Sequence, residues 1–497
     1  MNQCRFFLNF RCLHRSMKKN QSLLLKLSSH SFWYFVGGVL NNGLALLLLP
    51  YLSQMLTPAE YGIVQTANSI GLCLPILFSF HIEAAFARFY HDEKLKFENV
   101  CKLYSSCFWF IIFSGLFFLS LLILTSKFWF QTIFDVGPYP YIFLITYPYL
   151  FYQISILGST YLRQTLNVKL VTSIDFVASL INLSLSIYLV YVWNDGAEAR
   201  LFAISISFFI KALFYISYSI KRHLLIWSID FSKLKSLLYF SIPLTPSALS
   251  LWLSKMADRI IISIYVGVAA TGLFSVANQI ALLVYFIQDA VLQALGPIQM
   301  DGFIKDRVRT LHYTKNLSEI MWILIINIIL FVGLFSDMLL DLFVNSRFHV
   351  NSLLIIILSS VYLIQAQYRI FSGILIYHKK AKEYSYAAVA QAIISIALNF
   401  VFIPLYGYEV AAYTSLAGII VFFVIILFYI RKIEKVQIDY MIYGKYILFL
   451  ITCLLFRNVI DSFLLSPFLI LLCKVLLFIL FIMLSLNDLL LRLKLIR

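Results

Sequence analysis

The chain has 497 residues, of which 62% are hydrophobic and only 12% charged, and it carries a formal net charge of +16. Soluble domains hold about 25% charged residues, and here apolar runs of about 20 residues recur from end to end, so composition excludes a soluble globular protein in favour of an all-α integral membrane protein. The positive balance reads as basic loops on one membrane face rather than as a nucleic-acid partner. Seven cysteines lie mostly in or beside apolar runs without a CxxC pair, which points to neither disulfides nor a metal site.

The first thirty residues, 1–30, are basic and irregular, and read as a cytoplasmic tail; Met17 is an alternative start. No small-residue cleavage site follows, and the next apolar run is long enough to span. Fourteen spans are predicted, near 32–52, 62–87, 103–124, 141–162, 170–193, 200–220, 238–265, 272–298, 317–336, 351–376, 384–405, 409–430, 443–460 and 467–490. Runs of this length without strand-like alternation are helices, because lipid offers no partner to open backbone. With both termini inside, thirty Lys and Arg fall in inner segments. Only Lys127, Arg200, Arg347 and Arg457 fall outside. Adding or losing a span would invert every later loop, so this asymmetry predicts an even count.

An internal repeat organises the spans. AEYGIVQTANSI at 59–70 and AATGLFSVANQI at 269–280 align at an offset of 210, with Ala59, Gly62, Ala67, Asn68 and Ile70 matching Ala269, Gly272, Ala277, Asn278 and Ile280. Both segments bridge a short outer turn into the next span, in the same orientation. A fainter echo links Asn182 with Asn399. The expected plan is two six-helix lobes, 31–222 and 223–436, with two extra helices in 437–497. Repeated halves around a midplane site are a transporter pattern.

Charges inside the spans carry the functional reading. Lys255, Asp258 and Arg259 fall at i, i+3 and i+4 and so share one helix face. A charge at mid-bilayer costs about 2.5–3.5 kcal/mol each, which is tolerable when the group faces water or a partner. Lys211, Arg369 and Lys474 are also intramembrane, whereas acids at comparable depth are fewer: Asp258 and Asp289, with Asp175 and Glu83 nearer the inner face. The expectation is a polar cavity with a positive bias, lopsided toward the second half, where Lys255 and Arg259 face Ala45 and Leu49 at the repeat offset. The alternatives are structural: Lys211 as an ion pair, Lys255–Asp258–Arg259 as a self-neutralising staple, Arg369 and Lys474 as snorkelling cations, Arg88 as an inner-face anchor, and Asp289 as a helix–helix hydrogen-bonding group. His81 reads as a packed histidine. Trp252, Tyr265, Tyr362 and Tyr368 are candidates for stacking on sugars, although most aromatics of such a chain serve lipid contact and packing.

Several segments resemble the bacterial polysaccharide flippases of the multidrug/oligosaccharidyl-lipid/polysaccharide exporter superfamily. They are LTPAEYG at Leu56–Gly62, Arg88-Phe89-Tyr90, SIPLTPS at Ser241–Ser247, ADRIIIS at Ala257–Ser263 followed by Gly272-Leu273-Phe274, and NFVFIPLYGYEVAA at Asn399–Ala412. The resemblance implies a V-shaped carrier that moves an undecaprenyl-pyrophosphate-linked oligosaccharide across the bacterial inner membrane by alternating access, for O-antigen (lipopolysaccharide), capsule or exopolysaccharide. It implies polysaccharide polymerase and chain-length machinery as partners beside membrane lipids. Asp258 and Arg259 match the family's Asp-Arg pair, and Arg88 its basic residue ending the second span. The candidate substrate-binding set is therefore Arg88, Lys211, Lys255, Asp258, Arg259 and Arg369, with Asp289 a candidate for ion coupling. No nucleotide-binding, metal or catalytic motif is present, which favours a transporter without cofactors over an enzyme. A drug/cation antiporter of the same superfamily is the other reading, and its buried charges would be acidic.

Overall fold

The computed structural model describes 38, 43–44 and 46–496, apart from 95, 194–195, 435, 437 and 463–465, and the side chains of a few further residues in the helices; the basic tail at 1–30, Met17, Ala45 and most of the first expected span lie outside the described residues. Every described element is helical. Among the described residues thirteen helices are long and apolar enough to cross a membrane, and the shorter Leu46–Met55 (α1) is the described end of the first expected span. We call the side of the basic loops the inner side.

The first half continues with α2 (Pro58–Gly71), α3 (Leu74–Ser79), α4 (Ile82–Glu93), α5 (Phe97–Phe134), α6 (Tyr141–Gln164), α7 (Val168–Val192) and α8 (Gly196–Lys221). The second half follows after α9 (Phe231–Ser241), with α10 (Thr245–Tyr265), α11 (Val268–Lys305), α12 (Arg307–Phe343), α13 (Ser352–Tyr377), α14 (Ala381–Tyr406) and α15 (Val410–Ile433). Two more helices, α16 (Tyr440–Ser462) and α17 (Pro467–Ile496), pack on α12. Within each half the neighbours repeat: α6 and α7 against α8, α13 and α14 against α15.

Local sequence explains several boundaries. Thr57 caps α2 in a reciprocal box with Glu60, and Pro58 occupies the first turn, where a missing N–H is harmless. Gly407 ends α14 at φ +80°, a conformation open mainly to glycine. The expected second span at 62–87 is not one rod. It breaks into α2, α3 and α4, with Phe80 and His81 both in the left-handed region at φ 48° and 61°. Pro75 opens α3, and Phe80 does not favour the left-handed backbone, which tertiary contacts hold: Thr245 donates to the Phe80 carbonyl from α10, and Ser114 of α5 to the Phe78 carbonyl.

The halves meet most closely where α2 crosses α11, and the repeat supplies that crossing. A Cβ on Gly62 would overlap the Val268 carbonyl oxygen and lie 2.7 Å from its carbon. A Cβ on Gly272 would overlap the Pro58 carbonyl oxygen and lie 3.0 Å from its carbon. Pro58 and Val268 are themselves 210 apart, so the contact is related to itself by the repeat. Only residues without a side chain allow two helix backbones this close. Tyr61 and Phe348 pack edge to face at 5.8 Å beside it, and Arg347 donates to the Gln54 carbonyl at 2.9 Å. The outer side is thereby closed.

Candidate functional site

One turn inside that closure lies a cavity of about 390 Å³. Its two facing walls are the repeat again. Gln65, Asn68, Ser69 and Leu72 line it from α2; Ser275, Asn278, Gln279 and Leu282 line it from α11, each exactly matched at the 210 offset. The asparagines are held alike: Tyr149 of α6 donates to Asn68 Oδ1 at 2.9 Å, and Tyr362 of α13 to Asn278 Oδ1 at 3.0 Å. The echo of Asn182 and Asn399 has a physical meaning too. Arg200 donates to Asn182 Oδ1 at 2.8 Å, and Thr414 donates to Asn399 Oδ1, so each amide ties one antiparallel helix pair.

The third wall is α10, and it carries the charge. Lys255, Asp258 and Arg259 all line the cavity, as their shared helix face predicts. Arg259 is 8% exposed, with Nη1 donating to the Lys255 carbonyl at 3.1 Å and lying 3.5 Å from Asp258 Oδ1. Asp258 Oδ1 also accepts from the Arg259 backbone N–H at 2.8 Å. Among the described residues no carboxylate lies within 4.0 Å of the Lys255 ammonium, and Lys255 is exposed in the cavity. The group thus holds one net positive charge. Leu49, opposite in the repeat, is buried and apolar, so the lopsidedness expected from sequence is present.

Arg369 and Asp289 form an ion pair at 2.7 Å between α13 and α11. They sit one helical turn from Gln365 and Tyr285, which line the cavity. Arg88 stands apart: it pairs with Asp92 at 2.8 Å on the exposed surface of α4 and does not line the cavity. Lys211 lies in a separate recess of about 330 Å³ within the first half, 2.7 Å from Asp175. Arg200, which loop counting places in an outer segment, lines that recess as well, bonded to Asn182 and Ser186. Lys474 is not a snorkelling side chain: it is 8% exposed and bonds Asp461 at 2.8 Å, in a cluster with Arg457 and Asp337 that ties α17 and α16 to α12. Tyr362 and Tyr368 line the cavity, Trp252 donates to the Ser69 carbonyl at 2.8 Å, and Tyr265 packs on Phe400 away from it. Sequence reasoning missed Tyr285 and the Gln65, Gln279, Gln365 and Gln391 amides that line the cavity; polar amides recurring in apolar spans are the signal that marks them.

Such a site offers one net cation, amides and tyrosines in a hollow closed at one end. Known proteins agree with this architecture. A search of the curated proteins returns no match. Among solved structures, the lipid II flippase MurJ in an inward closed conformation superposes with a TM-score of 0.74 at 15% identity, covering 94% of this chain and 99% of that one. An inward-facing multidrug-resistance MATE family transporter of the MOP superfamily gives 0.63 at 14% identity, covering 80% and 96%. A MOP superfamily transporter from Pyrococcus furiosus gives 0.57 at 14%, covering 82% and 96%. At these identities the likeness establishes the fold. The sequence profile of the polysaccharide biosynthesis protein family matches 27–299, more than half of the chain. This multi-pass membrane protein is therefore a member of the polysaccharide biosynthesis protein family, with the fold of the MOP superfamily transporters.

Proposed function

We propose that the chain is a flippase that moves an undecaprenyl-pyrophosphate-linked oligosaccharide from the inner to the outer leaflet of the bacterial inner membrane, for O-antigen, capsule or exopolysaccharide synthesis. The observation that carries this reading is the uncompensated positive charge at Lys255–Asp258–Arg259, in a cavity roofed by the α2–α11 crossing. A polyprenyl tail can stay in lipid, but its pyrophosphate and sugars cannot cross hydrocarbon bare, because burying unpaired polar groups costs several kcal/mol apiece. Arg259 offers phosphate a two-pronged donor and Lys255 a mobile point charge; Asp258 orients Arg259 and keeps the site from binding its anion too tightly to release. Arg369 is a further contact if its bond to Asp289 opens. Asp289, freed in turn, is the candidate for a coupling cation. Lys211, neutralised by Asp175, serves only when that pair separates, and Arg88 would meet cargo at the inner mouth.

The proposed mechanism is alternating access, which one closed end supports. Parting α2 from α11 opens the outer side while the inner ends of the halves approach. Both termini are proposed to be cytoplasmic, with a polysaccharide polymerase and its chain-length partner taking the product outside. The test uses a strain lacking the chain, complemented with Arg259→Gln or Lys255→Gln. Surface polymer should vanish while the protein persists in the membrane; full polymer would refute the reading. A drug-sensitivity assay separates the antiporter alternative, which the excess of cavity cations disfavours.

A further inference from the structure

Below the cationic cavity, toward the inner side, lies a second recess of about 420 Å³ that shares Leu72 and Leu251 with it. Its chemistry is the reverse. Glu83 Oε1 stands 3.0 Å from His81 Nδ1, and Glu83 Oε2 accepts from Gln153 Nε2 at 3.0 Å. These three polar groups line the recess against an apolar floor that includes Pro75, Ile76 and Leu244. The left-handed backbone at Phe80 and His81 is what turns His81 back onto Glu83. Gln153 is fully buried, and its Oε1 finds no hydrogen-bond partner among the described residues. An orphaned buried acceptor is unfavourable by about 1–3 kcal/mol until a donor arrives.

A carboxylate repels phosphate, so this recess is no second phosphate site. Sugar hydroxyls suit it: they donate to the spare lone pairs of Glu83 and to Gln153 Oε1, while the C–H face of a sugar ring lies on the apolar floor. Ser247 of the recess and Lys255 of the cavity are eight residues apart on α10, about 12 Å along the helix axis. We propose that Glu83, Gln153 and His81 form a glycan-recognition subsite that binds the sugars of the lipid-linked substrate while Lys255 and Arg259 hold its pyrophosphate. This deepens the flippase reading and rests on it.

The test measures binding to the purified full chain in nanodiscs. One probe is the polyprenyl-linked glycan extracted from the source strain; the other is sugar-free undecaprenyl pyrophosphate, the stripped lipid. The parent should prefer the sugar-bearing lipid. Glu83→Gln and Gln153→Ala should each weaken that lipid by about tenfold, as expected for lost hydrogen bonds to a charged or buried group, and leave the stripped lipid unchanged. Glu83→Gln is isosteric and guards against misfolding as the explanation. Equal losses for both lipids, or no loss for either, would overturn the subsite. Arg259→Gln should weaken both probes; a parent that binds neither would bring down the flippase reading and the subsite with it.

Discussion

Replacing Gly62 with alanine should unlatch the outer side. The added methyl would meet backbone on the other helix: the Val268 oxygen in outright overlap, the Val268 carbon at 2.7 Å and the Gly272 nitrogen at 3.0 Å. Ordinary contact for a Cβ begins near 3.4 Å, so α2 and α11 must separate by more than half an ångström at the carbon alone. A side chain could swing aside, but a helix carbonyl cannot. Overpacking of this kind costs about 1–3 kcal/mol, and rigid backbone puts Gly62→Ala toward the top of that range. Each 1.4 kcal/mol is tenfold, so the closed-outer state should lose between about ten- and a hundred-fold of its weight against states with the crossing parted. Gly272→Ala should do the same, and the double variant should fall well short of the sum, because one separation relieves both clashes. Spin labels on thiols at Trp193 and Tyr406, both exposed, read the distance between the outer ends of the halves. A shift to longer distances is expected. A distribution that overlays the parent, with unchanged surface polymer, would refute the latch.

Other expectations are simpler to test. Lys211→Met alone should destabilise the chain by about 3–5 kcal/mol by orphaning Asp175; adding Asp175→Leu should restore the melting temperature without restoring polymer export. Full export by the double variant would reduce Lys211 to a staple. Arg457→Met removes the guanidinium shared by Asp337 and Asp461 and should cost about 3 kcal/mol, the low end for a buried pair because Asp337 is more than half exposed; thermal unfolding measures it. At the inner side Glu434 accepts from Arg307 at 2.6 Å and lies 2.8 Å from His378. Burial would raise its carboxyl, but the hydrogen bonds from Arg307 and His378 outweigh burial and hold it below its ordinary value of 4.5. A lowered carboxyl contributes stability fully above pH 4.5 and loses it as pH falls through the folded value. Glu434→Gln should therefore lower the melting temperature at pH 7 and leave it little changed in strong acid; an equal drop at both would contradict the linkage.

The sequence carried the spans, the repeat and the α10 cluster, because each is written in local periodicity or in spacing along one helix. Gly62 and Gly272 were legible as a matched pair, and the structure adds that they touch. What spacing along the chain could not give was partnership between helices. Asp175 with Lys211, Asp289 with Arg369 and Asp461 with Lys474 each join different helices. Arg88 matched a motif, yet its side chain meets Asp92 one turn away on its own surface. The break at Phe80–His81 contradicts a continuous apolar run, and no glycine or proline sits at those two positions to announce it, since hydrogen bonds from α5 and α10 impose it.

Because the two rods touch at their outer ends, the crossing acts as a fulcrum. From Gly272 to Asp289 is about 25 Å of helix, so each degree of tilt about that point sweeps the far end through about 0.4 Å. While the crossing holds, modest rocking at the roof is thus geared up where cargo enters.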